Sequence, residues 1–207
     1  MKTVFEKSFV FLEEAVRALE EAILKWGEGI GDNIVKVDRF LNHRVDTALV
    51  TEMGREIAAH FRDDAPSVIL TVEASGIALA VTAAQALGML PVVFAKKHAA
   101  STLRGEMYAE SIRSFTKDIS YDMRCASHCI GPADRVLIVD DFLADGEATR
   151  GMLSLVRQAE AQCVGVAVAI EKAFQKGGRT LREKGLKVLS LAAIREIRDG
   201  KILFQEG

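Results

Sequence analysis

Two adjacent carboxylates, Asp140 and Asp141, follow the apolar run Val136-Leu-Ile-Val139. They precede Phe-Leu-Ala144-Asp145-Gly146-Glu147-Ala148-Thr149. Acids at a strand tip can accept hydrogen bonds from the vicinal hydroxyls of a sugar, or hold part of a metal's coordination shell. The turn behind them offers free amides at a helix N-terminus, a ready cradle for phosphate. Gly146 lets the backbone come close to an anion. Acids beside such a cradle fit a sugar phosphate better than a bare anion. Helix-capping preferences alone would also put Asp145 and Glu147 at a helix start.

Other residues could join this chemistry. Lys96-Lys97-His98 follows the apolar run Pro91-Val-Val-Phe-Ala95 and reads either as a solvated basic turn or as an anion contact. Lys172 follows a buried run ending at Ile170 and could simply pair with Glu171. Cys125, His128 and Cys129 lie close together, but a structural zinc site needs four ligands and no fourth is evident, so no protein-held metal is expected.

The elements that must position these residues alternate. Phe9, Leu12, Val16, Leu19, Ile23 and Trp26 recur at spacings of three and four, one stripe of a helix that Gly27, Gly29 and Gly31 end. That stripe suits packing on its own domain or an oligomer contact. A strand is expected over Ile34–Val37, then a helix over 46–62, strand 67–72, helix 77–87, strand 91–95, strand 136–139, helix 147–159, strand 164–170, helix 176–184, and strands 187–191 and 202–204. Residues 96–135 are polar and irregular. The βαβαβ order, with continuous apolar strands, implies an α/β fold with a parallel sheet flanked by helices. In such sheets ligands bind beyond the carboxyl ends of the strands, here after Val72, Ala95, Val139 and Ile170.

Composition narrows the class. The 207 residues carry 27 Lys and Arg against 29 Asp and Glu, a net charge of -2, with 49% hydrophobic residues. This excludes a disordered chain and disfavours broad nucleic-acid binding, which calls for a basic excess. No stretch reaches the roughly 18 uncharged apolar residues a membrane span needs. Three cysteines and no secretory leader point to a reducing, cytoplasmic setting.

The Val136–Thr149 segment resembles the phosphoribosyl-diphosphate (PRPP) binding motif of the type I phosphoribosyltransferases. Five more blocks, Lys36-Val-Asp-Arg-Phe-Leu-Asn-His43, Glu73-Ala-Ser-Gly-Ile-Ala78, Val92-Val-Phe-Ala-Lys-Lys-His98, Ser114-Phe-Thr-Lys117 and Ile170-Glu-Lys-Ala-Phe-Gln175, resemble the bacterial xanthine phosphoribosyltransferases in order and spacing. The resemblance runs from about residue 32 to the C-terminus. It implies the type I phosphoribosyltransferase fold over 32–207, with a small hood from about 32–44 and the C-terminal strand, behind a helical extension over 1–31.

It also implies roles. Asp140 and Asp141 would bind the ribose hydroxyls of PRPP, and Ala144, Asp145, Gly146, Glu147 and Ala148 would cradle its 5′-phosphate through the backbone. Ser75 and Gly76 would meet the diphosphate, with Lys97 and Lys96 adding cationic contacts. Asn42 and Lys172 would hydrogen-bond a purine base, with Val35 nearby and Phe174 against the ring. Mg2+ would arrive mainly on PRPP, and the protein would be a homodimer. The implied activity is purine salvage: phosphoribosyl transfer to xanthine, or also guanine or hypoxanthine, releasing diphosphate. The alternative is a catalytically silent nucleotide-binding regulator of the same fold.

The resemblance has two departures. The family's phosphate loop reads Ala-Asn-Gly-Gln-Ala, whereas this chain has Ala144-Asp-Gly-Glu-Ala148, and a family lysine is replaced by Ala99. A carboxylate about 4 Å from one phosphate charge would cost roughly 4 kcal/mol at an effective dielectric of 20. The cost is far smaller if only amides face the phosphate.

Overall fold

Uncharged, mostly β-branched runs cannot stay at a surface, and in the computed structural model they form the middle of one sheet. The structure describes residues 15–97, 105–114 and 119–205. Phe9, Leu12, His98, Ala99 and Phe115–Lys117 lie outside the described residues. In chain order the elements are α1 (residues 15–26), β1 (Glu28–Ile30), β2 (Ile34–Lys36), a π-helical turn (Asp38–Asn42), α2 (Thr47–Phe61), β3 (Val68–Val72), α3 (Gly76–Ala86) and β4 (Val92–Ala95). Then follow β5 (Met107–Ser114), β6 (Ile119–Ala126), β7 (Arg135–Leu143), α4 (Glu147–Gln158), β8 (Gln162–Lys172), α5 (Gly177–Glu183), β9 (Val188–Arg198) and β10 (Lys201–Phe204).

The central sheet has the order β10-β9-β8-β7-β3-β4. Its pairings are parallel except β10, which turns back antiparallel on β9. Alternate residues of β3, β7 and β8 feed two cores, because successive side chains of a strand point to opposite faces. Ile69, Leu137, Val139, Ala167 and Ala169 join one cluster with α1, α2 and α3. Val68, Leu70, Val136, Ile138, Val166 and Val168 join the other, with α4, α5 and the β5–β6 hairpin.

Three features depart from expectation. The irregular stretch 96–135 contains the antiparallel hairpin β5–β6, with Glu110 opposite Met123 and Ile112 opposite Tyr121. β7, β8 and β9 run well past their expected ends. Gly27 does end α1, its N–H bonding the Ile23 carbonyl at 2.8 Å, but a strand follows at once and pairs with β2. Gly29 is needed there: a Cβ would stand 2.6 Å from Ile197 and 2.9 Å from the Gly200 carbonyl oxygen.

The described part of the helical stripe packs within its own chain. Leu19 and Ile23 are fully buried in one cluster with Val35, Phe40, Leu41, Ile197 and Ile202. Each such side chain stabilises by about 1.5–3 kcal/mol. The division at residue 31 therefore falls inside the β1–β2 hairpin.

The N-terminal ends of the strands are tied together. Arg135 donates to the Asp64 and Ala65 carbonyls at 2.7–3.2 Å and to Gln162 at 2.6 Å, Ser67 bonds Asp134 at 2.8 Å, and Lys187 reaches Asp64 at 2.6 Å. Among the described residues, no helix is long and apolar enough to cross a membrane.

Candidate active site

The carboxyl ends of β3, β4, β7 and β8 bring together most of the residues singled out from the sequence. β7 does not stop at Val139: its pairing with β8 continues through Asp140 and Phe142 to Leu143. Asp140 and Asp141 are thus held at a rigid strand end, 3% and 7% exposed. The Asp141 N–H donates to Asp140 Oδ1 at 2.9 Å. Burial, then the neighbouring Asp141 charge, pushes the Asp140 carboxyl well above its ordinary value, and the Lys97 charge works the other way.

Ser75 and Gly76 lie where β3 gives way to α3. An added Cβ at Gly76 would stand 2.2 Å from Thr71 Oγ1 and 2.8 Å from Asp140 Oδ1, so only glycine lets this loop close on the carboxylate. Thr71 Oγ1 is buried there without a hydrogen-bond partner. Glu73 ties this loop to the end of β4, its carboxylate accepting from the Lys97 N–H at 2.9 Å.

The two lysines separate. Lys96 exchanges backbone hydrogen bonds with Arg124 of the hairpin at 2.8 and 2.9 Å, and its ammonium lies 6.0 Å from the Phe94 ring. Lys97 lies 5.9 Å from the Tyr121 ring. Burial, then the charges of Asp140 and Glu147, raise the Tyr121 phenol, which places this ring on the acidic side of the site.

Behind the acids, Ala144–Ala148 form a tight turn into α4. Gly146 occupies the N-cap position with φ +82°, the left-handed region that favours glycine. No side chain caps α4, so neither Asp145 nor Glu147 serves as its cap and the first-turn amides have no side-chain partner. Gly177, at the start of α5, presses on the turn. Its N–H donates to the Ala144 carbonyl at 3.1 Å, and a Cβ there would stand 2.2 Å from that oxygen. Arg150, one helical turn on, donates from Nη1 to the Asp145 carbonyl at 3.0 Å and forms an ion pair with Glu147 through Nη2.

The β8 end faces the β1–β2 turn. Lys172 Nζ donates to the Asn33 carbonyl at 2.5 Å, and Gln175 Nε2 donates to the Asn33 side chain. Burial lowers the Lys172 ammonium, and the Asp145 charge partly opposes that. Val35 is buried in β2, Asn42 is exposed at the end of the π-helical turn, and Phe174 is 37% exposed beyond β8. Glu171 turns the other way. Its carboxylate takes two hydrogen bonds from Arg182, at 2.8 and 2.7 Å, and one from Ser190. Lys172 therefore does not pair with its neighbour. A separate cleft of about 690 Å³, lined by Trp26, Arg39, His43 and Arg44 among others, includes none of the site residues.

Reading the sequence missed Thr71, Asn33, Tyr121, Arg150 and Gly177. Arg150 was legible in principle, since Glu147 and Arg150 have the three-residue spacing of a helical ion pair.

Residues 37–190 match the family model described as a phosphoribosyl transferase domain. The chain is 49% identical to xanthine phosphoribosyltransferase of Moorella thermoacetica over 91% of this chain and 96% of that protein. It is 47% identical to the xanthine phosphoribosyltransferase of Geobacillus thermodenitrificans, over 92% and 98%. These spans cannot be filled by residues 32–207 alone, so they reach into the opening segment that the motif blocks left out. Among solved structures, adenine phosphoribosyltransferase of Rhodothermus marinus superposes with a TM-score of 0.71 at 22% identity, covering 88% of this chain and 99% of that one. The Trypanosoma brucei adenine phosphoribosyl transferase, in complex with AMP, pyrophosphate and ribose-5-phosphate, gives 0.70 at 16%, over 84% and 79%. At those identities they share the fold.

Proposed function

The chain belongs to the phosphoribosyltransferase family, and from that premise we propose that it transfers the phosphoribosyl group of PRPP to xanthine. The products are the nucleoside monophosphate and diphosphate. One observation carries the reading: the turn at 144–148 leads into a helix whose first-turn amides have no side-chain cap, beside two buried acids. That arrangement leaves donors for a phosphoryl dianion and acceptors for sugar hydroxyls.

In this reading Asp140 and Asp141 hold the ribose hydroxyls, and Ala144, Asp145, Gly146, Glu147 and Ala148 surround the 5′-phosphate through the main chain. Ser75, Gly76 and Lys97 meet the diphosphate, and Lys96 supports that loop from the hairpin side. Val35, Asn42, Lys172 and Phe174 receive the base. A purine nitrogen attacks C1 of the ribose as the bond from C1 to the diphosphate oxygen breaks, and the base gives up a proton. Positive charge grows on the sugar and negative charge on the leaving group. The buried acids favour the first and Lys97 the second. Alignment of base and sugar on fixed strand ends supplies much of the remaining rate. The base must displace or share the Lys172 contact with Asn33.

Hard oxygen donors suit Mg2+, and the charge crowding that raises Asp140 is relieved by a nearby cation. The acids at 140 and 141 would face a metal carried on PRPP, and the metal's contribution when bound is to neutralise the departing diphosphate. The protein is read as cytoplasmic, with its three cysteines unpaired, and as a homodimer.

The test is incubation of the purified protein with PRPP, Mg2+ and xanthine, guanine or hypoxanthine in turn, with diphosphate release as the readout. Release with xanthine is expected. No release with any base would overturn the enzyme reading in favour of a silent binding protein.

A further inference from the structure

The acidic residues at 145 and 147 flank a loop that, in the function proposed above, must accept a phosphoryl dianion, and the arrangement around them shows how the two demands are met. Glu147 is mostly buried, its side chain 22% exposed. Its Oε1 is buried without an aligned hydrogen-bond donor, and its counter-charge is the guanidinium of Arg150. The same guanidinium donates to the Asp145 carbonyl at 3.0 Å and runs close to Gly146, whose Cβ position is 3.7 Å from Nη1. Arg150 thus lies along the 145–147 backbone and engages both ends of the turn. A planar, permanently charged fork can do this, whereas an ammonium engages one point at a time. Asp145 has its own cation on the base side, where its charge is felt by Lys172.

We infer that Arg150 is a positioning residue of the phosphate loop: it neutralises Glu147, so that the uncapped amides at the start of α4 can bind the 5′-phosphate of the substrate. This rests on the phosphoribosyltransferase reading and adds to it a residue whose need arises from this chain's own acidic loop. Arg150 is not placed on the substrate. It acts through Glu147, so its removal should matter only while that carboxylate is present.

A double-mutant cycle tests this. Ribose 5-phosphate binding is measured by titration calorimetry for the wild type, R150A, E147Q and the E147Q/R150A double variant, alongside kcat and KM for PRPP. Removing Arg150 from the wild type should weaken ribose 5-phosphate binding roughly tenfold or more, from the Coulomb cost of an unpaired charge near the ligand. Removing it from E147Q should change binding by less than about threefold on the same scale. The loss should appear in KM for PRPP and leave kcat little altered, as for uniform binding.

Equal weakening in both backgrounds would overturn the inference, because Arg150 would then act through the Asp145 carbonyl or on the ligand itself. Unchanged affinity in R150A would overturn it too. Should R150A fail to fold, R150K takes its place: affinity within about threefold of wild type supports neutralisation, and a loss beyond tenfold overturns it. A wild-type protein that binds no ribose 5-phosphate would overturn the underlying reading instead, a result recognisable because it involves no variant.

Discussion

A methyl group added at position 76 would land against Thr71 Oγ1 and Asp140 Oδ1, neither of which can retreat, because both belong to central strands. Gly76→Ala should displace Asp140 or the loop that carries Ser75. A misplacement of about 1 Å can cost on the order of a hundredfold, so kcat/KM for PRPP should fall by about that factor while the melting temperature changes little. Steady-state kinetics beside a thermal melt checks this, and wild-type kinetics would show that the loop has slack. Asp140, Asp141 and Gly146 were readable because acids at the end of an apolar run, followed by glycine, have few other uses. Thr71 was not, since a threonine in a buried strand looks like any β-branched residue until the strand beside it is known. The same holds for Asn33, whose contact with Lys172 joins residues far apart in sequence.

α5 is a short helix, yet it sets the shape of the phosphate turn through Gly177, and Glu171 holds it in place. A Cβ on Gly178 would collide with the Glu171 carboxylate, and Arg182 closes on that carboxylate from the same helix. Burial pushes the Glu171 carboxyl up, but hydrogen bonds from Arg182 and Ser190, with the Arg182 charge, outweigh it and hold the carboxyl below its ordinary value. A depressed carboxyl stabilises the fold above its unfolded pKa, and that contribution disappears as pH falls through the lower folded value. Glu171→Gln should therefore cost about 2 kcal/mol near neutral pH, moderated by the exposure of Arg182. The gap between variant and wild type should narrow in acid. Urea melts at neutral and at acid pH measure this, and a pH-independent gap would mean packing alone is at stake. Helices and buried strands were legible from period and length. The β5–β6 hairpin was passed over because its inward set, Tyr121, Met123 and Cys125, alternates with Asp122 and Arg124 over too short a run to dominate its polar surroundings. β1 was hidden by glycines that look like a helix stop.

The whole molecule has one sheet edge at β4, and apolar side chains remain exposed on and beside it: Phe94 on β4, Val81 on α3 and Met89 in the turn between them. A homodimer that covers this edge would remove them from water. Light scattering should then give twice the chain mass for the wild type, and Phe94→Glu should shift the population toward monomer. A monomeric wild type would exclude the dimer. Sheet order and the antiparallel return of β10 were beyond the sequence, since strand runs reveal what is buried but not which neighbour buries it. The two ends of the sheet have different tasks. Arg135, Asp64, Ser67, Asp134 and Lys187 knot the strand starts together, while the loops at the opposite ends hold the acids, glycines and lysines. Variation can therefore rework the rim that chooses a base without loosening the foundation, which makes this scaffold well suited to acquiring new specificities.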